Sequence, residues 1–186
     1  DDVRVPVANL VGEENKGWTY AKYLLQHERT GIAGIGFSAE ALRHLKTIAS
    51  AERKNGRPLL EDPYFATRIA EIEIELAALK TTNLRALAAG QDGSAGLMSS
   101  MLKIRGTEIR QAIDDLTREA LGPYAAPFVF EALEPGANEG GTGPDYANPV
   151  AATYFNHRKF SIFGGSNEIQ RNIIAKGIMA ARMGGG

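Results

Sequence analysis

Residues 62–89 read DPYFATRIAEIEIELAALKTTNLRALAA, and the apolar residues in this stretch recur at intervals of three and four. That spacing is typical of one face of an α-helix, with Ile69 and Leu76 on the buried side and charged residues opposite. Asp62 followed by Pro63 supplies a helix N-cap and a proline in the first helical position. The pattern therefore predicts a long helix over residues 62–89.

Two more long helices are expected on either side of this one. Residues 18–52 contain no proline and keep the helical spacing of apolar residues, which predicts one continuous first helix. A third apolar stripe ends at the Leu-Gly-Pro stop of residues 121–123. We predict an exposed basic turn over residues 54–58 and a short turn over 90–94, and short connections place neighbouring helices antiparallel.

In the last third of the chain the helical pattern is interrupted more often. Residues 125–148 carry several prolines and glycines, which predicts a long loop, and residues 149–162 return to helical spacing. A glycine turn over 163–166 then leads into a last helix over 167–183. The sequence thus predicts an all-α fold: an antiparallel, up-and-down helical bundle of three long helices, with two shorter helices that meet at the glycine turn.

Composition limits the classes of function. Hydrophobic residues make up 44% of the chain and charged residues 23%, which is ordinary for a folded globular domain. With 21 basic and 22 acidic residues the formal charge is -1, so no overall field favours nucleic acid or an anionic membrane as a partner. The chain has no cysteine, in agreement with a reducing compartment, and we expect it in the cytoplasm.

The two ends of the sequence also carry information. No stretch approaches the roughly 20 uninterrupted apolar residues of a membrane helix, and the first residues lack the pattern of a signal peptide. Residues 1–9 read as a strand or loop in mid-course, so we expect a piece of a longer protein.

The three histidines, His27, His44 and His157, lie in separate segments without carboxylates at ligand spacing, so no metal site is predicted.

The glycine turn is the best candidate for a ligand site. Residues 163–171 read FGGSNEIQR, in which two glycines allow close approach of the backbone and Ser166 or Asn167 can cap the following helix. A helix N-terminus gathers unpaired N–H groups, which suit an anion or a carbonyl oxygen. A corner between two helices that binds nothing would have the same local sequence, so both interpretations stay open on this motif alone.

Two longer motifs resemble one enzyme family. Residues 2–6 (DVRVP), 9–12 (NLVG) and 17–18 (GW) resemble the passage from the middle β-domain of acyl-CoA dehydrogenases into their C-terminal helical domain. Residues 160–175 (FSIFGGSNEIQRNIIA) are similar to the closing signature of that family. The resemblance implies that residues 1–16 are a remnant of the middle β-domain with a short strand, and that residues 17–186 form the C-terminal bundle.

The resemblance also implies a reaction. Acyl-CoA dehydrogenases use FAD to oxidise an acyl-CoA to the 2,3-enoyl-CoA, and a carboxylate takes the α-proton while the β-hydride moves to flavin. Many relatives carry that carboxylate where this chain has Gly164. In the branch of the isovaleryl-CoA and long-chain enzymes it precedes an arginine on the first helix, which corresponds to Glu28 here. Without the resemblance, Glu28 would be interpreted as an exposed helical glutamate.

Further residues take expected roles from the same resemblance. The Gly164 N–H is expected to bind the thioester carbonyl, and Arg29 and Phe163 to contact substrate. Arg53 resembles the arginine that contacts FAD pyrophosphate from a neighbouring subunit, and Ser166 and Glu168 match positions that contact the adenosine part. The expected partners are an acyl-CoA, an electron-acceptor flavoprotein, and copies of the chain in a dimer or tetramer, or a related subunit in a heteromer.

Two other functions fit the same resemblance. A non-catalytic subunit that completes a partner's flavin site is favoured by departures from the family pattern at Asn55, Pro63 and Pro123. An acyl-CoA oxidase would differ only in how its flavin is reoxidised. In all three cases the isolated fragment is expected to be inactive, because the rest of the flavin cleft belongs to other domains.

Overall fold

The structure, a computed structural model, describes residues 2–28, 31–88, 95–136 and 140–183. Within these residues the chain forms six α-helices and one two-stranded hairpin, so the predicted all-α class is confirmed. Their bounds are α1 Gly17–Glu28, α2 Ile35–Ala51, β1 Arg53–Lys54, β2 Arg57–Pro58, α3 Pro63–Ala88, α4 Ala95–Leu121, α5 Val150–His157 and α6 Asn167–Met183.

The helix α4 lies at the centre and packs against α2, α3, α5 and α6. Its buried face joins those of α2 and α3 in the main core, where the largest fully buried apolar side chains are Leu45, Phe65, Leu102, Ile113 and Leu116. Full burial of such a side chain stabilises a fold by about 1.5–3 kcal/mol. These contacts fix α4 as the support on which the rest of the domain is arranged.

The helix α3 begins where the sequence predicts. Pro63 is its first residue, and the Asp62 carboxylate accepts a hydrogen bond from the Phe65 N–H at 3.1 Å. The Lys54 ammonium, together with that backbone N–H, holds the pKa of the Asp62 carboxyl below its usual range. The turn predicted over residues 90–94 lies outside the described residues.

The predicted first helix over residues 18–52 is wrong in one respect, because the structure divides it into α1 and α2. A turn over residues 31–33 leads to Gly34, which has φ of 57° and sits immediately before α2. Glycine lowers helix stability by about 1 kcal/mol relative to alanine, and this region has three glycines within six residues. The bend buries Ala33, of which only 2% is exposed, against α4.

The basic turn predicted over residues 54–58 is a tight hairpin. Asn55 and Gly56 have φ of 53° and 80°, the positive values that two-residue hairpin turns require. The short strand expected near the N-terminus is not formed within residues 2–16, where the described backbone has a 3-10 turn at Val7–Asn9. A strand needs a hydrogen-bonding neighbour, and the described residues bring none to this segment.

The loop predicted over residues 125–148 contains 3-10 turns at Glu131–Leu133 and Asp145–Ala147 and, where described, no α-helix or strand. The next helix, α5, is shorter than predicted, because a 3-10 turn at Arg158–Ser161 replaces its last residues. This tighter turn brings the chain to residues 163–166. Of the helices that the structure describes, none combines the length and apolar character needed to span a membrane.

Candidate active site at the glycine turn

The turn between α5 and α6 depends on two glycines in left-handed conformations. Gly164 has φ of 66° and Gly165 has φ of 82°, a region that costs other residues roughly 1–2 kcal/mol. The Phe163 N–H donates to the Lys159 carbonyl at 3.0 Å, and the Gln170 side chain donates to the Gly164 carbonyl at 3.0 Å. The Gly164 N–H donates to no backbone carbonyl of the described residues, so it is available to an outside acceptor.

The N-terminus of α6 follows this turn directly. The Ser166 hydroxyl accepts a long hydrogen bond of 3.4 Å from the Ile169 N–H. Hydrogen bonds from the backbone N–H of Glu168 and from the Ser166 side chain hold the pKa of the Glu168 carboxyl below its usual value. Asn167 is buried, and its side-chain oxygen accepts a hydrogen bond of 2.8 Å from the Lys103 ammonium.

A mostly apolar cavity of about 360 Å³ lies beside the turn. Residues 31–34 and the start of α2 form one wall, α4 forms the second, and His157, Phe160 and Phe163 form the third. A volume of this size is within the range of small-ligand sites, and its apolar walls suit a hydrocarbon group.

The glycine turn touches the bend between α1 and α2. A β-carbon placed on Gly164 would lie 2.5 Å from Cδ1 of Ile32, so the Ile32 side chain occupies the space beside this glycine. Glu28 ends α1 four residues earlier, and four residues span at most about 14 Å. The backbone of Glu28 therefore lies within about 14 Å of that of Ile32, while its side chain and the whole of Arg29 lie outside the described residues.

A hydrogen-bonded pair, His157 and Asp114, supports the aromatic wall of the cavity. His157 Nδ1 lies 2.8 Å from Asp114 Oδ2, and Arg110 Nε is 3.7 Å from the same carboxylate. Burial raises the pKa of the Asp114 carboxyl, and the His157 hydrogen bond opposes that rise. The His157 ring stacks on Phe160 at 4.4 Å, and Phe160 meets Phe163 edge-on at 5.3 Å. The pair thus holds the ring that precedes Gly164.

Arg53 does not join this site within one chain. It lies on β1 beyond the C-terminal end of α2, whereas the start of α2 lines the cavity. The 17 residues of α2 separate the two by about 24 Å at 1.5 Å per residue. The structure therefore brings together Phe163, Gly164, Ser166 and Glu168 and leaves Arg53 on a separate, exposed hairpin, where its guanidinium makes a 3.4 Å contact with the Gly56 carbonyl.

Sequence reasoning missed several residues of this site. Lys103 stands between Leu102 and Ile104, so a charge inside an apolar stripe was the available signal, and the structure leaves only 2% of this lysine exposed. Ile32 gave no such signal, because its contact with Gly164 depends on a bend that the apolar spacing conceals.

A family model described as "Acyl-CoA dehydrogenase, C-terminal domain" matches residues 15–179. The chain belongs to the acyl-CoA dehydrogenase family. The match covers most of the sequence and corresponds to the C-terminal helical domain that the two motifs indicated.

Individual relatives agree with this assignment. The chain is 32% identical to acyl-CoA dehydrogenase FadE26 of Mycobacterium tuberculosis over 93% of its own length and 42% of the relative. It is 27% identical to the long-chain specific acyl-CoA dehydrogenase, mitochondrial, of Sus scrofa, over 96% and 38%. A solved probable acyl-CoA dehydrogenase from Mycobacterium abscessus is 26% identical with a TM-score of 0.74, over 96% and 43%. The chain thus spans about two-fifths of these proteins.

Proposed function

We propose that residues 17–186 are the C-terminal helical domain of an FAD-dependent acyl-CoA dehydrogenase and that residues 1–16 are a remnant of its middle β-domain. The observation that carries this proposal is the glycine turn: the Gly164 N–H donates to no backbone carbonyl of the described residues, and the Cβ position of Gly164 lies against Ile32, four residues after Glu28. An acidic residue and a carbonyl-binding amide on adjoining segments are the groups that removal of an α-proton requires.

Glu28 is the proposed base. The α-proton of a thioester is weakly acidic, so a carboxylate must be held against it while water is excluded, which raises the carboxylate pKa toward that of a useful base. Gly164 supplies no carboxylate, and its left-handed backbone beside Ile32 disfavours any side chain there. The similarity to a long-chain specific enzyme supports a base on the first helix.

The other proposed contacts surround this pair. The Gly164 N–H would donate to the thioester carbonyl oxygen and stabilise the negative charge that develops as the α-proton leaves. Phe163, which is half exposed, would pack against the acyl group, and Arg29 would contact substrate from the other side of Glu28. The apolar cavity behind Phe163 has the character and the volume to take the acyl chain.

The chemistry of the candidate FAD contacts fits that cofactor. Arg53 is exposed on its hairpin, and a guanidinium forms bidentate hydrogen bonds with phosphate oxygens. Glu168 has a lowered carboxyl pKa and is ionised at neutral pH, so with Ser166 it can accept hydrogen bonds from the hydroxyls of a ribose. When bound, FAD would supply the acceptor for the β-hydride.

The separation of Arg53 from the glycine turn supports assembly of several subunits. If one cofactor contacts both regions, two chains must each contribute part of the site. Exposed apolar side chains on α6, among them Ile169, Ile178 and Met179, offer surface for such packing. We therefore propose a homo-oligomer, a dimer or tetramer, in the cytoplasm, with an acyl-CoA as substrate and a flavoprotein as electron acceptor; a heteromer with a related subunit is the alternative.

The test is Glu28→Gln in the full-length protein. The amide keeps the shape of the side chain but cannot accept a proton, so flavin reduction by acyl-CoA should fall by about 10²-fold or more while acyl-CoA affinity stays nearly unchanged. Stopped-flow absorbance measures the first quantity, and titration of the oxidised enzyme measures the second. Flavin reduction at the wild-type rate would place the base elsewhere.

The same experiment addresses the alternative of a non-catalytic subunit, which the departures at Asn55, Pro63 and Pro123 favour. In that case the unsubstituted protein would bind a partner yet show no flavin reduction with any acyl-CoA. A panel of thioesters of different length and branching would also define the substrate. Reactivity of the reduced flavin with oxygen would distinguish an oxidase.

A further inference from the structure

Three side chains on α4, spaced one helical turn apart, donate hydrogen bonds to the segment that carries the glycine turn. Lys103 Nζ donates to Asn167 Oδ1 at 2.8 Å, and Thr107 Oγ1 donates to the Phe160 carbonyl at 3.1 Å. Gln111 Nε2 donates to the His157 carbonyl at 3.1 Å. Residues four apart lie on one face of a helix, so the three donors form a row.

The hydrogen bonds of this row differ from those that polar side chains commonly make within their own helix. A threonine inside a helix commonly donates to the carbonyl four residues before it, as Thr117 of the same helix does to Ile113 at 2.8 Å. Thr107 instead donates across to Phe160. Lys103 is almost fully buried, which is costly for an ammonium group, and its charge interacts favourably with the carboxylate of Glu168, the residue that follows Asn167. Both residues therefore use their donors on the glycine-turn segment.

The glycine turn needs this external support. Two consecutive glycines with positive φ leave the backbone many conformations, and Phe163 is 51% exposed, so side-chain packing restrains it only in part. The row holds the chain on both sides of Gly164, four residues before it at Phe160 and three residues after it at Asn167.

We propose that Lys103, Thr107 and Gln111 are positioning residues for dehydrogenation, because they fix the Gly164 N–H at the point where the thioester oxygen binds. This inference rests on the proposed function. A hydrogen-bond donor stabilises developing charge only when it is held in place before the reaction, and a displacement of 1 Å can cost about 100-fold in rate. The hydrogen bonds from these three residues are tethers that oppose such a displacement.

The experiment compares Thr107→Val with Thr117→Val in the full-length, FAD-loaded enzyme. Both substitutions remove one hydroxyl from α4 and keep the side-chain shape, but only the first removes a tether to the glycine turn. Thr107→Val should lower the rate of flavin reduction by about tenfold with a change in KM below about twofold. Thr117→Val should leave both values unchanged.

A second measurement separates positioning from a loss of stability. A 3-thia acyl-CoA has an acidified α-proton, and its bound enolate gives a long-wavelength charge-transfer band with oxidised flavin. The pH at which the band appears reports how well the site stabilises the enolate oxygen. Thr107→Val should raise this apparent pKa by about one unit, the equivalent of tenfold weaker stabilisation, and Thr117→Val should not. Equal values in the two variants would overturn the inference.

Two further outcomes are distinguishable. If Thr107→Val does not fold, Gln111→Met removes the third tether at a less buried position, and the same pair of measurements then decides. If the unsubstituted enzyme shows no flavin reduction with any acyl-CoA and no charge-transfer band, the proposed function fails and this inference fails with it. Normal activity with no difference between the variants overturns this inference alone.

Discussion

Different interactions determine where the helices α3 and α2 begin. The helix α3 begins at a local signal, an aspartate that caps the Phe65 N–H followed by Pro63 in the first helical position. The helix α2 begins at Ile35, directly after Gly34, because the residue before that glycine, Ala33, packs its backbone against Gly106 of α4. The first boundary can be read from neighbouring residues, while the second depends on a contact between residues more than 70 positions apart.

A helix boundary that is easy to recognise in the sequence is therefore not always the one that is stabilised by the larger free energy. A helix cap is a single hydrogen bond at the surface, worth about 1 kcal/mol on average. A backbone contact inside the core involves close-packed atoms that cannot move apart without disturbing their neighbours. The boundary that the sequence conceals should therefore be the more sensitive of the two to substitution.

The largest effect is expected at Gly106. A β-carbon there would overlap the Ala33 carbonyl, and because the backbone fixes the positions of both, neither can rotate away. Gly106→Ala should lower the free energy of unfolding by about 2 kcal/mol, although alanine favours a helix more than glycine does. Urea unfolding of the 186-residue chain measures the change.

Gly36→Ala is the matched control for Gly106→Ala. Gly36 lies in the first turn of α2 with no described atom within 4 Å of an added β-carbon. This substitution should raise the free energy of unfolding by about 0.5 kcal/mol, because glycine is the more flexible residue in the unfolded chain. Equal stabilisation by both substitutions would show that the Ala33 contact does not fix the bend.

The Gly106 contact explains why the sequence predicted the core but not the bend. The stripe of α3 from Ile69 to Leu79, the stripe of α4 and the cap at Asp62 are local patterns, and the structure confirms them; Leu87, predicted to continue the α3 stripe, is exposed. The apolar spacing of residues 18–52 continues through the bend, since Ile32 and Ile35 fall at helical positions on either side of it. Periodicity alone therefore predicted one helix where tertiary packing makes two.

The candidate site likewise has one part that the local sequence predicts and another part that depends on tertiary contacts. The glycine turn could be located from its sequence, because two adjacent glycines before a helix cap mark a corner between two helices, and only the family resemblance favoured a ligand site there over a corner that binds nothing. Its neighbours could not, because Ile32, Thr107 and His157 come from three separate segments that only the fold brings together. The roles of Glu28, Arg29 and Arg53 came from family resemblance and stay predictions.

An intermediate effect is expected at Gly164, where a local conformation and a tertiary contact act together. Gly164→Ala should lower the free energy of unfolding by roughly 1–2 kcal/mol, through its positive φ and its contact with Ile32 together. In an Ile32→Ala background the contact is relieved and only the backbone cost remains. A double-mutant cycle should then give a coupling of about 0.5 kcal/mol or more.

The outcome of that cycle bears on the position of the proposed catalytic carboxylate. Gly164→Glu would put a carboxylate where other relatives have one, and we expect it to rescue Glu28→Gln only when Ile32 is shortened as well. Zero coupling between Ile32 and Gly164 would mean that the glycine turn and the bend between α1 and α2 are independent, and that expectation would then fail.

The smallest effect is expected at the locally encoded boundary, Asp62. Its carboxyl pKa is lowered in the fold, first by Lys54 and then by the Phe65 N–H, relative to an unfolded value of 3.8. A group with a lowered pKa contributes stability above its unfolded pKa, and this contribution is lost as the pH falls through the folded value. Asp62→Ala should therefore destabilise the chain slightly at neutral pH and progressively less as the pH falls below about 4.

Asp62→Asn separates the effect of the helix cap from that of the titrating carboxylate, because asparagine caps helices as well as aspartate does but does not titrate. At neutral pH it should retain most of the stability that Asp62→Ala loses, so the difference between the two variants measures the cap alone. Between about pH 5 and pH 2 the urea midpoint of Asp62→Asn should fall less steeply than that of the unsubstituted chain, since one titrating carboxylate is absent. A larger loss for Asp62→Ala than for Gly106→Ala would reverse the expected order, and the local cap rather than the core contact would then be the stronger determinant of where these helices begin.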